Sequence, residues 1–335
     1  MLTLLQVCNV GQITGGTAAC AWTVARSLPD VRHKIVFRGS LSAETRQRFQ
    51  DWEPEQWRQI TRAQVARTRA DLVLLHNISR ESISRNGLRG TLDRPTVNYL
   101  HSRIAPAVAD VWICCSEWLR ERYGRPELQV VRQGVPRPPH VAEEIKGRRA
   151  AGQMRVGRLC TPTARMWWSG LPEFYAGLAH DFPTVAWEFV GCPAEMQSAL
   201  HQACGRRAVF HPAGWDARRL LWSWDALLNH HPELTESFGR TVGDAFRSGC
   251  IPIVDRRGGF IEQIEGGPGY LCRDAEEFRG AVRELLDPER RRRESERCIA
   301  WGEAHYSLRA FGGELLRVFQ EATERFPGRC PQAAR

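Results

Sequence analysis

The chain of 335 residues lacks any continuous apolar run of roughly eighteen residues, so no membrane-spanning helix is expected. CxxC pairs are also missing, and its eleven cysteines are scattered and odd in number. That pattern argues against a disulfide framework or a zinc site, and it suits a reducing cytosol. No GxGxxG fingerprint, HExxH motif, Ser-His-Asp arrangement or hydrolase-like carboxylate pair can be read, which weakens dinucleotide, metalloprotease and hydrolase assignments. The first residues, Leu2 to Val7, have neither a basic leader nor a small-residue cleavage site, so they read as a strand and the expected location is cytoplasmic. Lysine is nearly absent: Lys34 and Lys146 are two of the 47 basic residues, and the other 45 are arginine.

Apolar content of 42%, with 12 Trp, supplies packed cores, and the length suits two α/β domains of about 150 residues. The net charge of +9 is unevenly placed. Residues 1–150 hold 23 basic against 14 acidic side chains, while residues 151–335 hold 24 of each. A basic half suits an anionic membrane surface or an acidic acceptor. An arginine-biased coding genome would produce the same excess. No recognition helix or basic–aromatic repeat accompanies the charge, so nucleic acid is not an expected partner.

The apolar pattern alternates between strands and helices throughout. Residues 2–9 read as a strand, Gly11 to Gly16 as a glycine-containing loop and Thr17 to Leu28 as a helix, which is how a doubly wound sheet begins. Residues 43–69, with six arginines among Trp52 and Trp57, read as amphipathic helices with a largely solvated face, and as the best candidate for membrane or anionic contact. DLVLLH (71–76) and TVNYLH (96–101) read as buried strands ending in His76 and His101, at the strand ends where open α/β sheets bind ligands. A strand-end His is also commonly a core hydrogen-bonder. The Pro-rich, charged stretch up to residue 153 reads as a linker. Expected boundaries are an N-terminal Rossmann-like domain at 1–140, a linker at 141–153 and a second Rossmann-like domain at 154–306, with a last helix from 307.

The most informative stretch is Pro232 to Val254, PELTESFGRTVGDAFRSGCIPIV. A polar loop leads into a helix ended by Gly249 and then a Pro-containing buried strand. Glu236 and Gly239 stand at the loop–helix junction, which suits a ligand with both hydroxyls and phosphates: carboxylates hold hydroxyls, and helix N-terminal amides hold phosphates. An ordinary capped helix fits the same pattern.

The order Glu236-Ser237-Phe238-Gly239, with an acid eight residues after the glutamate, resembles the donor-site signature of family 4 retaining glycosyltransferases of the GT-B fold. Gly157-Arg158-Leu159 is similar to that family's Gly-Arg-Leu loop, and Gly134-Val135 to the turn closing its first domain. Two positions depart from the pattern: Asp244 stands where the family has a second glutamate, and Thr163 where it usually has a lysine, leaving Arg165 as the nearest cation. The resemblance implies two Rossmann-like domains facing a cleft, with the helix at 307–335 returning toward the first. It implies catalytic roles for His101, Glu236, Arg158 and Arg165, donor contacts from Ser237, Phe238, Gly239 and Asp244, and an acceptor-side loop at Gly15 and Gly16. It implies transfer of a sugar, expected to be a hexose, from a nucleoside-diphosphate donor to a lipid-linked, polysaccharide or other cell-envelope hydroxyl. No metal and no cofactor beyond the donor are implied. Peripheral contact with the inner membrane face through the basic half is expected. Alternatives are a non-catalytic GT-B scaffold subunit and an epimerase acting on the nucleotide sugar.

Overall fold

The structure is a computed structural model that describes residues 1–83, 92–139 and 153–325. It divides into two compact units, Met1–Gly134 with the segment from Ser307, and Val135–Tyr306. The expected linker lies, Gln153 apart, outside the described residues.

In the first unit β1 (Thr3–Cys8), α1 (Gly16–Ser27), β2 (Arg32–Phe37), α2 (Ala43–Arg48), β3 (Glu55–Gln56), α3 (Arg62–Thr68), β4 (Leu72–His76), β5 (Thr96–Leu100), β6 (Val111–Cys114), α4 (Glu117–Tyr123) and β7 (Gln129–Val130) follow in order. The strands form one parallel sheet ordered β3-β2-β1-β4-β5-β6-β7. β4 and β5 are buried along their whole length, as central parallel strands covered on both faces must be. The chain winds outward from β1 in one direction and from β4 in the other. Their paired carboxyl ends, with Cys8 opposite His76, therefore form a topological switch point, where such sheets leave a crevice. The stretch 43–69 is only partly helical. Pro54 has no N–H to donate, and after it the chain adds the two-residue edge strand β3 beside Val36 and Phe37 before the Thr61–Gln64 capping box starts α3.

The second unit runs β8 (Arg155–Leu159), α5 (Leu171–Asp181), β9 (Ala186–Val190), α6 (Ala194–Ala203), β10 (Ala208–His211), β11 (Ala226–Asn229), α7 (Arg240–Ser248), β12 (Ile251–Asp255), α8 (Gly259–Ile264), β13 (Tyr270–Cys272), α9 (Ala275–Glu284) and α10 (Pro288–Tyr306). Its sheet is ordered β10-β9-β8-β11-β12-β13, so its switch point lies between β8 and β11. Residues 215–222 are wound as a 3₁₀-helix. At its two ends Ala217 N–H donates to Gly214 O at 3.2 Å and Ser223 N–H to Leu220 O at 2.8 Å, both i→i−3 bonds. The last helix, α11 (Leu308–Arg325), belongs to the first unit and packs on α1. A Cβ on Gly312 would come within 2.5 Å of Ser27 O, so the approach of the two helices depends on that glycine. No helix among the described residues is long and apolar enough to cross a membrane.

Candidate active site

At the first switch point, α1 starts at Gly16 with Gly15 as its uncapped N-cap residue, so the helix presents backbone amides at the sheet's carboxyl edge. Gly15 is half-buried and Gly16 exposed. His76 ends β4 and is fully buried, and burial holds its imidazole down at a pKa of about 3, so it is neutral. His101, just past β5, lies nearly coplanar with His76, with ring centroids 5.6 Å apart and His76 Nδ1 3.3 Å from His101 Nε2. Asn77 fixes where His101 sits. It adopts a left-handed φ of 56°, a region Asn tolerates, and its Oδ1 accepts the His101 N–H at 3.1 Å and the Ser102 N–H at 3.2 Å. Gln133 Nε2 lies 2.9 Å from the other ring nitrogen of His101. Cys20 Sγ and one ring nitrogen each of His76 and His101 lie within 4.8 Å of one another, the one grouping of metal-ligand type found among the described residues. It offers three ligands, one short of a closed tetrahedral site.

At the second switch point Arg158, on β8, has no exposed surface. Its Nη1 donates to His230 O at 3.0 Å and Asn229 Oδ1 at 3.2 Å, its Nη2 donates to Met166 O at 2.7 Å, and it lies over the Trp167 ring. The residue expected to grip a diphosphate therefore ties the loop after β8 to the loop after β11. Arg165, in the 3₁₀ turn Ala164–Met166, is exposed, and its charge acts on Glu236. Burial pushes the Glu236 carboxyl up, and Arg165 partly opposes the shift. Gly259 N–H donates to Glu236 O at 2.9 Å, fixing the loop against the start of α8. Ser237 is half-buried beside it, and Phe238 is buried 6.0 Å from Tyr306. Gly239 is the N-cap residue of α7 at φ 79°, and a Cβ there would lie 2.3 Å from the Phe260 ring. The α7 first turn contains no acid, leaving its amide end open to an anion. Asp244, expected to hold ribose, is buried and paired at 3.0 Å with Arg218, whose guanidinium stacks 3.5 Å from the Trp215 ring centre. Burial raises the Asp244 carboxyl, while Arg218 and Arg240 draw it back.

The structure thus gathers Gly15, Gly16 and His101 at one switch point, and Arg158, Arg165, Glu236, Ser237, Phe238 and Gly239 at the other. Several site residues were missed from the sequence. Asp255 accepts from His231 N–H at 2.7 Å and pairs with His230 at 2.7 Å, holding the loop that leads to Glu236. Gln6 carried a usable signal, being a polar residue inside the apolar run of β1. Arg218 carried none, because its partner lies 26 positions away. At the opposite, amino edge of the first sheet, Arg32, Lys34, Arg67 and Arg69 line a hollow of about 400 Å³ with Glu55 and Trp57.

No family model and no curated protein sequence matches this chain. Solved structures do. It is similar to Anabaena HepE in complex with UDP-glucose, at 17% identity and a TM-score of 0.76 over 96% of this chain and 100% of that one. It is similar to a glycosyltransferase from Rickettsia africae, at 13% identity and a TM-score of 0.73 over 96% of this chain and 99% of that one. It is also similar to WaaG, a glycosyltransferase involved in lipopolysaccharide biosynthesis, at 13% identity and a TM-score of 0.65 over 94% and 99% of the two chains. The fold is the GT-B fold of these glycosyltransferases.

Proposed function

We propose that the chain is a retaining glycosyltransferase of family 4 type. It would move a hexose from a nucleoside-diphosphate sugar to a hydroxyl of a lipid-linked, polysaccharide or other cell-envelope acceptor at the cytoplasmic membrane face, with no metal. The observation that carries this reading is the Glu236–Gly239 loop, set at the open amide end of α7 beside the exposed Arg165 in a GT-B fold. In the reaction the bond from the anomeric carbon to the diphosphate breaks and the bond to the acceptor oxygen forms on the same face. The acceptor proton passes to the departing phosphate oxygen. Arg165 and the α7 amides neutralise the charge that grows on the diphosphate, where fixed donors do most for the transition state. Glu236 orients the sugar hydroxyls, His101 stabilises positive charge near the reacting carbon, and Asp244, its carboxylate fixed by Arg218, serves the ribose end. Arg158 acts by holding the Arg165 loop in place.

A thermal-shift panel of UDP-, GDP-, ADP- and dTDP-sugars tests the donor, since binding to the folded state raises the midpoint by mass action. One nucleotide should stand out, and sugar release or transfer should follow with that donor. A flat response to all four overturns the reading. A second reading, a non-catalytic GT-B scaffold, draws support from Arg158 and Asp244 both being engaged by protein groups. Tight donor binding without transfer or hydrolysis would select it. Conversion of the donor with no acceptor present would instead mark an epimerase.

A further inference from the structure

Five polar side chains form a continuous hydrogen-bonded line through the first unit, and one backbone carbonyl fixes its direction. His33 Nε2 lies 3.0 Å from Leu28 O, and His33 Nδ1 lies 3.2 Å from Gln6 Nε2. Gln6 Oε1 lies 2.9 Å from His76 Nε2, His76 Nδ1 lies 3.3 Å from His101 Nε2, and His101 Nδ1 lies 2.9 Å from Gln133 Nε2. A carbonyl only accepts, so His33 carries its proton on Nε2. His33 is buried and held neutral by desolvation, so its Nδ1 is a lone pair and Gln6 must offer it the amide N–H. Gln6 Oε1 then faces His76, which must donate from Nε2. His76 is neutral too, so its Nδ1 is a lone pair and the facing His101 Nε2 must carry the hydrogen. Turning Gln6 around would put its oxygen against the His33 lone pair. Avoiding that clash requires a second proton on the buried His33 ring. As far as His101 Nε2, each link is set by the one before it.

We propose that Gln6 and His76 are positioning residues that fix a proton on His101 Nε2, turned toward His76, with Gln133 at its Nδ1. The inference rests on the transferase reading only for what His101 then does. With Nε2–H turned back toward His76, His101 does not take the acceptor proton at that nitrogen. It acts as a fixed dipole. The effect of Gln6 and His76 on transfer passes through the ring of His101.

The test uses the full-length chain labelled with ¹⁵N-histidine, with long-range ¹H–¹⁵N spectra assigned by single His→Gln variants. His33, His76 and His101 should all give the Nε2–H pattern. Gln6→Leu should leave His101 in mixed tautomers and lower the kcat for transfer by about tenfold, with donor KM within about twofold and a native melting profile. If that variant fails to fold, His33→Phe breaks the line one link further from His101 and should shift the tautomer in the same way. An Nδ1–H pattern for His101 in the native chain overturns the proposal. So does an unchanged His101 spectrum in a folded Gln6→Leu or His33→Phe variant, or a stoichiometric zinc ion held by Cys20, His76 and His101. The expected tautomers in a chain that transfers no sugar would sink the transferase reading and leave the line standing. Active transfer with the wrong tautomer would do the reverse.

Discussion

Glu236 concentrates the chemistry of the second unit in one side chain. Its carboxyl is raised by burial, so ionising it costs the folded state something the unfolded chain does not pay. For a raised carboxyl the favourable contribution is complete below the ordinary value of about 4.3 and is lost as pH rises through the folded value. Glu236→Gln is therefore expected to raise the melting temperature at pH 7.5 and to leave it nearly unchanged near pH 4, while transfer falls by about 10² or more. Melting curves at the two pH values, with initial rates, check both halves. Equal melting behaviour at both pH values would place the carboxylate in water. The Arg218–Asp244 pair gives the opposite lesson. Removing Arg218 strands a buried carboxylate, so Arg218→Met should cost about 3–5 kcal/mol in urea unfolding, and adding Asp244→Leu should recover most of it.

Among the elements, α7 matters most because its amide end is the proposed phosphate site. Gly239 starts it in a left-handed conformation with no room for a side chain beside Phe260. Gly239→Ala should destabilise the fold by roughly 1–3 kcal/mol and weaken donor binding in calorimetric titration. The control is a cap far from the site. Asp274 accepts the Glu277 N–H at 2.9 Å at the start of α9, so Asp274→Ala should cost about 1 kcal/mol and leave donor affinity unchanged. If both variants weaken binding equally, the α7 terminus has no special part in holding the donor. The helix and strand expected within Pro232–Val254, found at 240–248 and 251–255, were legible because their apolar spacing and end signals agree. The 3₁₀ winding at 215–222 was not legible, because spacing over eight residues does not separate it from an α-turn.

On the scale of the whole molecule, the excess of positive charge belongs to the first 150 residues, and part of it lines the hollow at the amino edge of the first sheet. Peripheral contact with an anionic surface would be electrostatic and therefore screened by salt. The chain is expected to bind vesicles containing anionic lipid in 50 mM salt and to release them by about 0.5 M, where the Debye length is only about 4 Å. Replacing Arg32, Lys34, Arg67 and Arg69 together by Gln should weaken that binding in co-sedimentation and leave donor binding intact. Salt-resistant binding, or binding unaffected by the fourfold change, would rule out this face.

By itself the sequence determined the doubly wound α/β architecture, the strand ends that carry His76 and His101, and the loop from Glu236 to Gly239. Those features are local: hydrophobic period, glycine at helix ends and polar residues after apolar runs fix them within a few positions. Tertiary structure alone decided which charges are spent. Arg158 reads from the sequence as a cation free to meet phosphate, yet it closes on oxygens from residues 8, 71 and 72 positions away. Asp244 reads as a ribose ligand, yet it meets Arg218. The line from Leu28 to Gln133 joins residues of β1, β2, β4 and the chain just after β5 and β7, so it exists only once the parallel sheet has brought them side by side. Partner choice among buried polar groups is a long-range matter, because each must find a hydrogen bond wherever the fold delivers one.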